Sequence, residues 1–258
     1  MMEYWQTVLI YWLVIHFLIE YTVSPSREEK LYSSQKLLWI QTAIYGVAML
    51  PSMLFVIGSW WKALLAWGLL LGVHSILVCL RYFFEGKNLK PKMAYWLAGI
   101  HQIMMVGTLL FVCYALLNIW GPFRHWRWLV NGQAVALLVL MIVLIWDVAS
   151  SFIRRLFSLV TMPSEVIAKD RYAIFASARS GELIGKLERV VVVLLILFDQ
   201  FGAIGFVLTA KSVARFKMLE DRDFAERYLI GTLASFIYAI VVGFFGKYLL
   251  QKMNVAFF

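Results

Sequence analysis

The chain has 258 residues, 62% of them hydrophobic and 15% charged, where a soluble domain carries about 45–50% apolar and 25% charged residues. That balance excludes an ordinary soluble globular domain. The net charge of +9 is spread over short segments between apolar runs, which speaks against nucleic acid as a partner and for membrane lipids, anionic head groups among them.

Several apolar runs reach the ~20 residues that cross a bilayer core. Lipid admits only helices or closed barrels, and barrel strands would alternate over ~10 residues. The sequence therefore predicts an all-α, polytopic transmembrane helical bundle of seven hydrophobic segments: 4–23, 37–57, 63–83, 94–119, 133–153, 183–209 and 227–250. In the first, Glu3 precedes the apolar run, no Lys or Arg does, and no A-x-A-like site follows, so no cleavable signal peptide is expected. Pro51 interrupts the second and predicts a kink. Cys79 and Cys113 lie inside apolar runs as small buried hydrophobes, with no disulfide or zinc spacing.

Lys and Arg concentrate in segments 24–36 (Arg27, Lys30, Lys36), 81–93 (Arg81, Lys87, Lys90, Lys92) and 154–182 (Arg154, Arg155, Lys169, Arg171, Arg179). They are sparse at Lys62 and at Arg124 and Arg127. The positive-inside rule then places the N-terminus outside and these basic segments in the cytoplasm. After Pro163 and Ser164 the connector mixes apolar and basic residues at helical spacing, which predicts an interfacial amphipathic helix. The bundle is expected to divide into an N-terminal part of five spans, 1–155, and a C-terminal unit, 156–258.

The sixth segment sets two rules against each other. Residues 190–210 would make about 32 Å of helix, enough to cross. Yet the following loop carries Lys211, Arg215, Lys217, Arg222 and Arg227, and a simple crossing would put these outside. The alternative is a re-entrant segment broken at "DQFG", which is tolerated where backbone is buried in protein or lines a cavity.

Three groups of side chains carry potential chemistry. His16, His74 and His101 lie in the first, third and fourth segments, each about 10–14 Å from the expected cytoplasmic end. Glu20 follows His16 at i+4, on one helix face, and neutral imidazoles with a carboxylate suit a zinc-like divalent ion. In the sixth segment, read as one continuous helix, Glu188 and Asp199 stand eleven residues apart, as do Arg189, Gln200 and Lys211. Three turns return each set to nearly one face, forming two polar stripes directed at a bundle interior or wet cavity. Gly181, Gly185, Gly202 and Gly205 would allow close helix approach. Asp147 has the same ambiguity between function and buried pairing, with Arg154 and Arg155 nearby. Finally, Lys211, Arg215 and Lys217 beside a membrane surface suit a phosphate head group, lipid or soluble. No Walker loop, G-x-S-x-G elbow, H-E-x-x-H or C-x-x-C occurs, nor the paired broken segments of inverted-repeat transporters.

At "GELIGKLER", "FDQFGAIGFVLTAKSVARF" and "ERYLIGTLAS" the chain resembles the C-terminal half of an uncharacterised bacterial multipass membrane family, domain of unknown function 3307. The resemblance covers 181–235 and implies a bacterial inner-membrane location. The family's N-terminal half bears H-x-x-x-D and paired-histidine motifs that suggest metal binding. Here His16 and His74 are kept, Glu20 stands where the family tends to have Asp, Gln41 and Tyr45 stand where it has histidines, and Val78 replaces an acid. The family carries no activity to transfer.

Three functions are therefore open. The first is a non-catalytic ligand- or partner-binding module built on Glu188, Arg189, Asp199, Gln200, Lys211 and Arg215, able to pair with another copy or a membrane partner. The second is an intramembrane metal-dependent hydrolase acting on a lipid-linked or phosphorylated substrate through His16, Glu20, His74 and His101. The third is a small-solute or ion transporter.

Overall fold

The computed structural model describes residues 4–23, 35–57, 59–85, 91–116, 126–160 and 171–254. Among these residues there are helices and turns and no strand, so the fold is an all-α bundle. Five helices are long and apolar enough to cross a membrane: Trp39–Val56, Trp60–Phe84, Trp96–Tyr114, Asn131–Phe157 and Phe224–Lys252. Two shorter apolar helices accompany them, Trp5–Tyr21 and Phe201–Ala214. The molecule fits a membrane protein. The charges Arg27, Lys30, Lys87, Lys90, Arg124 and Lys169, together with His125, Pro163 and Ser164, lie outside the described residues.

The chain divides into two compact units, Met1–Leu140 and Met141–Phe258. The first contains α1 (Tyr4–Phe17, continued by a π turn Leu18–Val23), α2 (Gln35–Val56), α3 (Trp60–Glu85), α4 (Pro91–Phe111, continued by a π turn Val112–Leu116) and most of α5 (Trp126–Val143). Trp12, Tyr45, Met49, Met53, Leu70, Met105 and Leu109 are fully buried between these helices. The opposite faces remain apolar too, with Val47, Leu65, Ile76 and Ile103 exposed. A helix apolar all round is what a lipid-facing span requires. Some polar groups inside the unit are paired: the Trp67 indole donates to the Gly46 carbonyl at 2.8 Å and the Tyr11 hydroxyl to the Leu129 carbonyl at 3.0 Å. Pro51 is accommodated within α2, less than two turns before its end. Cys79 and Cys113 are free thiols, the first exposed and the second buried.

The second unit contains a π turn (Leu144–Val148), α6 (Ala149–Val160), α7 (Arg171–Leu197), α8 (Phe201–Ala214), a short 3-10 turn (Phe216–Glu220) and α9 (Arg222–Lys252). Residues 171–182, the end of the connector, are helical and open the long helix α7, while 161–170 fall outside the described residues.

The sixth hydrophobic segment is not one helix. α7 ends at Leu197, where the Gln200 N–H donates to the Leu195 carbonyl at 2.7 Å and the Asp199 N–H to the Ile196 carbonyl at 3.2 Å. These two bonds form a Schellman ending, with Asp199 in the left-handed region at φ 60°. Asp tolerates that conformation better than most residues with a Cβ. The Lys247 ammonium donates to the Ile196 carbonyl at 3.3 Å and pairs with the Asp199 carboxylate, completing a cationic cap at the negative end of the helix.

The chain then doubles back. Lys211 on α8 donates to Glu188 on α7 at 2.5 Å, whereas one continuous helix would hold residues 23 apart in sequence at about 35 Å. At one end of this hairpin the Lys211 ammonium lies 5.6 Å from the Tyr228 ring, and at the other Phe201 stacks on Phe244 at 5.6 Å. Sixteen residues of α9 separate those levels, about 24 Å at 1.5 Å per residue. The α9 span itself is 29 residues, about 44 Å, so the hairpin penetrates roughly half of it and returns.

Close packing in this unit falls on other glycines than those expected. A Cβ at Gly181, Gly202 or Gly205 would meet nothing within 4 Å, whereas one at Gly243 would come within 2.8 Å of Ile196 and one at Gly231 within 2.7 Å of the Phe157 ring. α9 thus approaches its neighbours through its own small residues. Gly243→Leu is expected to lower stability in detergent by about 1–3 kcal/mol through overpacking, while Gly205→Leu stays within about 0.5 kcal/mol of wild type. Thermal unfolding of both variants checks this.

Candidate functional site

The N-terminal unit brings a carboxylate and two imidazoles together inside the bundle. Glu20 comes from the π turn after α1, His74 from α3 and His101 from α4, all buried. One ligand atom from each lies within 4.8 Å of the others. The Glu20 carboxylate stands 3.8 Å from His101 Nε2 through one oxygen and accepts from Gln41 Nε2 at 3.3 Å through the other. The His74 and His101 rings meet edge to face at 5.7 Å, and Tyr45 stacks on His74 at 4.2 Å.

His74 is fully buried, and neither of its ring nitrogens has a hydrogen-bond partner. The Gln41 carbonyl oxygen is likewise buried without a partner. Buried polar atoms normally find partners, and leaving one unmade costs about 1–3 kcal/mol. Orphaned donors and acceptors gathered around one carboxylate are the arrangement a metal ion or its bound water would satisfy.

His16 belongs to the surroundings of this cluster rather than to its ligand set. Its Nε2 donates to the Gln102 side-chain oxygen at 3.2 Å, leaving Nδ1 to accept from the Tyr45 hydroxyl at 3.2 Å. Both nitrogens are therefore occupied. His16 and Glu20 both lie beside Tyr45, but His16 is used up in hydrogen bonds to Tyr45 and Gln102 and Glu20 faces His101. Of the residues that hold the site's polar atoms in place, Gln41 and Tyr45 are marked only by the family resemblance, and Gln102 gives no signal in a single sequence beyond being a polar group within an apolar run.

In the C-terminal unit the two polar stripes are not formed, since the helix breaks between their members. Glu188 pairs with Lys211 across the hairpin. Asp199, with its side chain 67% exposed, sits at the turn with Lys247. Gln200 is exposed, and its amide donates to the Phe198 carbonyl at 3.3 Å. Arg215 lies over the Tyr228 ring at 5.9 Å. Asp147 has Lys186 at 3.7 Å as partner, and Arg154 turns instead to Glu182 at 3.2 Å.

Arg189 is the exception to this pairing. It is 3% exposed, and its guanidinium donates to the Ile145 carbonyl at 2.5 Å, Ser150 Oγ at 2.7 Å and Ser235 Oγ at 3.2 Å. The π turn explains how a helix carbonyl comes to be available. The Ala149 N–H bonds back to Leu144, one residue further than an α-helix would reach, and releases Ile145 for the arginine.

Comparisons of the chain with protein-family models, with curated proteins and with solved structures find no match.

Proposed function

We propose that the chain is a multipass protein of the bacterial inner membrane, N-terminus outside, whose N-terminal unit is a metal-binding module holding a zinc-like divalent ion on Glu20, His74 and His101. The observation that carries this reading is His74, a wholly buried imidazole with both nitrogens unpartnered, set beside a second imidazole and a carboxylate. Two imidazoles and one carboxylate suit zinc in charge and softness. Donor separations of up to 4.8 Å exceed the roughly 3.3 Å edge of a tetrahedral zinc site, a gap that side-chain rotation can close. Gln41 and Tyr45 position the carboxylate and the His74 ring, and His16 positions Tyr45.

The orientation is supported by the hairpin. Because α8 runs back along α7 toward the side from which α7 comes, the basic residues 211–227 would emerge on the side assigned to the cytoplasm by the Lys- and Arg-rich segment 154–182 that leads into α7. Kinship with the domain of unknown function 3307 family rests on the residues 181–235 that carry the resemblance.

Metal analysis of the purified chain tests the reading. About one zinc per chain is expected for wild type and none for His74→Ala. His16→Ala should keep the metal with affinity reduced about 10–100-fold, as for other residues that orient ligands. Equal zinc content in wild type and His74→Ala would end the proposal.

One observation favours a second, catalytic reading. Three protein donors leave a coordination position for water or substrate, as in hydrolytic zinc sites, where the metal acts as a Lewis acid. The substrate would then be lipid-linked or phosphorylated. The transport reading rested on a continuous polar stripe, which the broken helix does not form.

A further inference from the structure

At the end of the hairpin remote from its turn, the C-terminal unit forms an open-sided cavity of about 470 Å³. Arg154, Arg189, Lys211, Arg215 and Arg227 line it against one carboxylate, Glu182. That carboxylate is already engaged by Arg154 and by Lys186, each at 3.2 Å, and Lys211 is held by Glu188. Among the described residues Arg189, Arg215 and Arg227 have no carboxylate partner.

Two further features of the lining bear on what the cavity could hold. Arg189 is almost wholly buried and uses three of its five N–H groups on neutral acceptors, leaving two without a protein acceptor among the described residues. A buried cation with no anion in direct contact is costly. The Tyr228 hydroxyl, also on the cavity wall, is buried and has no hydrogen-bond partner. Beside these donors Ile153, Phe157 and Ile184 supply apolar wall.

We propose that this cavity binds a phosphate ester, its charge held by Arg189, Arg215 and Arg227 and one oxygen by the Tyr228 hydroxyl. Guanidinium forks match phosphate oxygens in pairs, and a phosphate would give Arg189 a direct anionic partner, which Glu182 and Glu188, engaged by Arg154, Lys186 and Lys211, do not. The apolar wall accommodates the organic part of the ester. The chemistry is common to a lipid head group and a soluble phosphate compound. This site is separate from the metal cluster and stands whether or not that cluster holds an ion.

The test uses the full chain, delipidated in non-ionic detergent and titrated with dihexanoyl phosphatidic acid, dihexanoyl phosphatidylcholine and inorganic phosphate, with bound ligand counted by native mass spectrometry. One phosphatidic acid should bind per chain, at least tenfold more tightly than phosphatidylcholine. The double variant Arg215→Gln/Arg227→Gln should weaken phosphatidic acid binding at least tenfold, and Tyr228→Phe about three- to fivefold. Arg222→Gln alters an exposed arginine paired with Glu226 and should leave binding unchanged. Inorganic phosphate binding as tightly as phosphatidic acid assigns the site to soluble phosphates; much weaker binding assigns it to lipid. Two results would overturn the proposal: phosphatidic acid binding unchanged in the double variant while helicity and melting temperature match wild type, or weakening by Arg222→Gln as large as that by the double variant.

Discussion

Zinc is expected to raise the melting temperature of the purified protein by several degrees, and Glu20→Gln to abolish most of that gain. A ligand that binds only the folded state at a free concentration of 100 Kd adds about 2.7 kcal/mol. The ion would sit where Glu20, His74 and His101 are all buried, and in such a low-dielectric site a dication depends on a neutralising carboxylate. Glutamine keeps the shape and a partner for Gln41 but removes the charge, so the loss should appear in metal affinity with little change in metal-free stability.

Protons and zinc compete for the same imidazole nitrogens. The zinc-dependent gain should therefore shrink as pH falls and recover as it rises. Magnesium, which prefers six oxygen donors, should give no gain. Magnesium stabilising as well as zinc, or Glu20→Gln keeping the full effect, would show that the cluster is a set of packed polar residues and nothing more.

How far these features are legible in the sequence depends on how local their physics is. Apolar runs of about 20 residues declare spans without reference to anything else in the chain, and the helical class follows from them. Depth is similarly local: at 1.5 Å per residue, the shared level of His74 and His101 can be read by counting. Which side chains at that depth are free to bind is not local. His16 is taken up by Tyr45 and Gln102 from two other helices, and nothing in "HFLIEY" announces either partner. The hairpin was half legible. Hydropathy reads 183–209 as one span because it does not register a left-handed residue, and only the basic loop that follows pointed to a return. Lys247 could not be matched to Asp199, since the pair forms only after α9 packs along the hairpin.

The Arg189 fork should contribute more to the stability of the C-terminal unit than the hairpin ion pair next to it. Arg189→Met is expected to destabilise by about 2–3 kcal/mol, because hydrogen bonds from a charged donor contribute about 1.5–3 kcal/mol and the Ile145 carbonyl would be left unsatisfied in an apolar setting. Ser150 and Ser235 lose less, since a hydroxyl can turn; Ser150 already donates to the Trp146 carbonyl at 2.6 Å. Arg189→Lys keeps the charge but presents a point cation where three acceptors are spread around a planar fork, so it should fall between methionine and wild type. Glu188→Gln, which breaks a partly exposed pair with Lys211, should cost no more than about 1 kcal/mol. Without the arginine, residues 144–148 have a way to recover their lost bond. They can relax to α geometry and return the Ala149 N–H to Ile145, at the cost of turning α6 by most of a residue's angle and displacing its packing on α9. Stability measured by denaturation in detergent therefore discriminates between two accounts of the π turn. A drop of the expected size means the turn is held open by the guanidinium, whereas Arg189→Met as stable as wild type means the turn stands on helix packing alone.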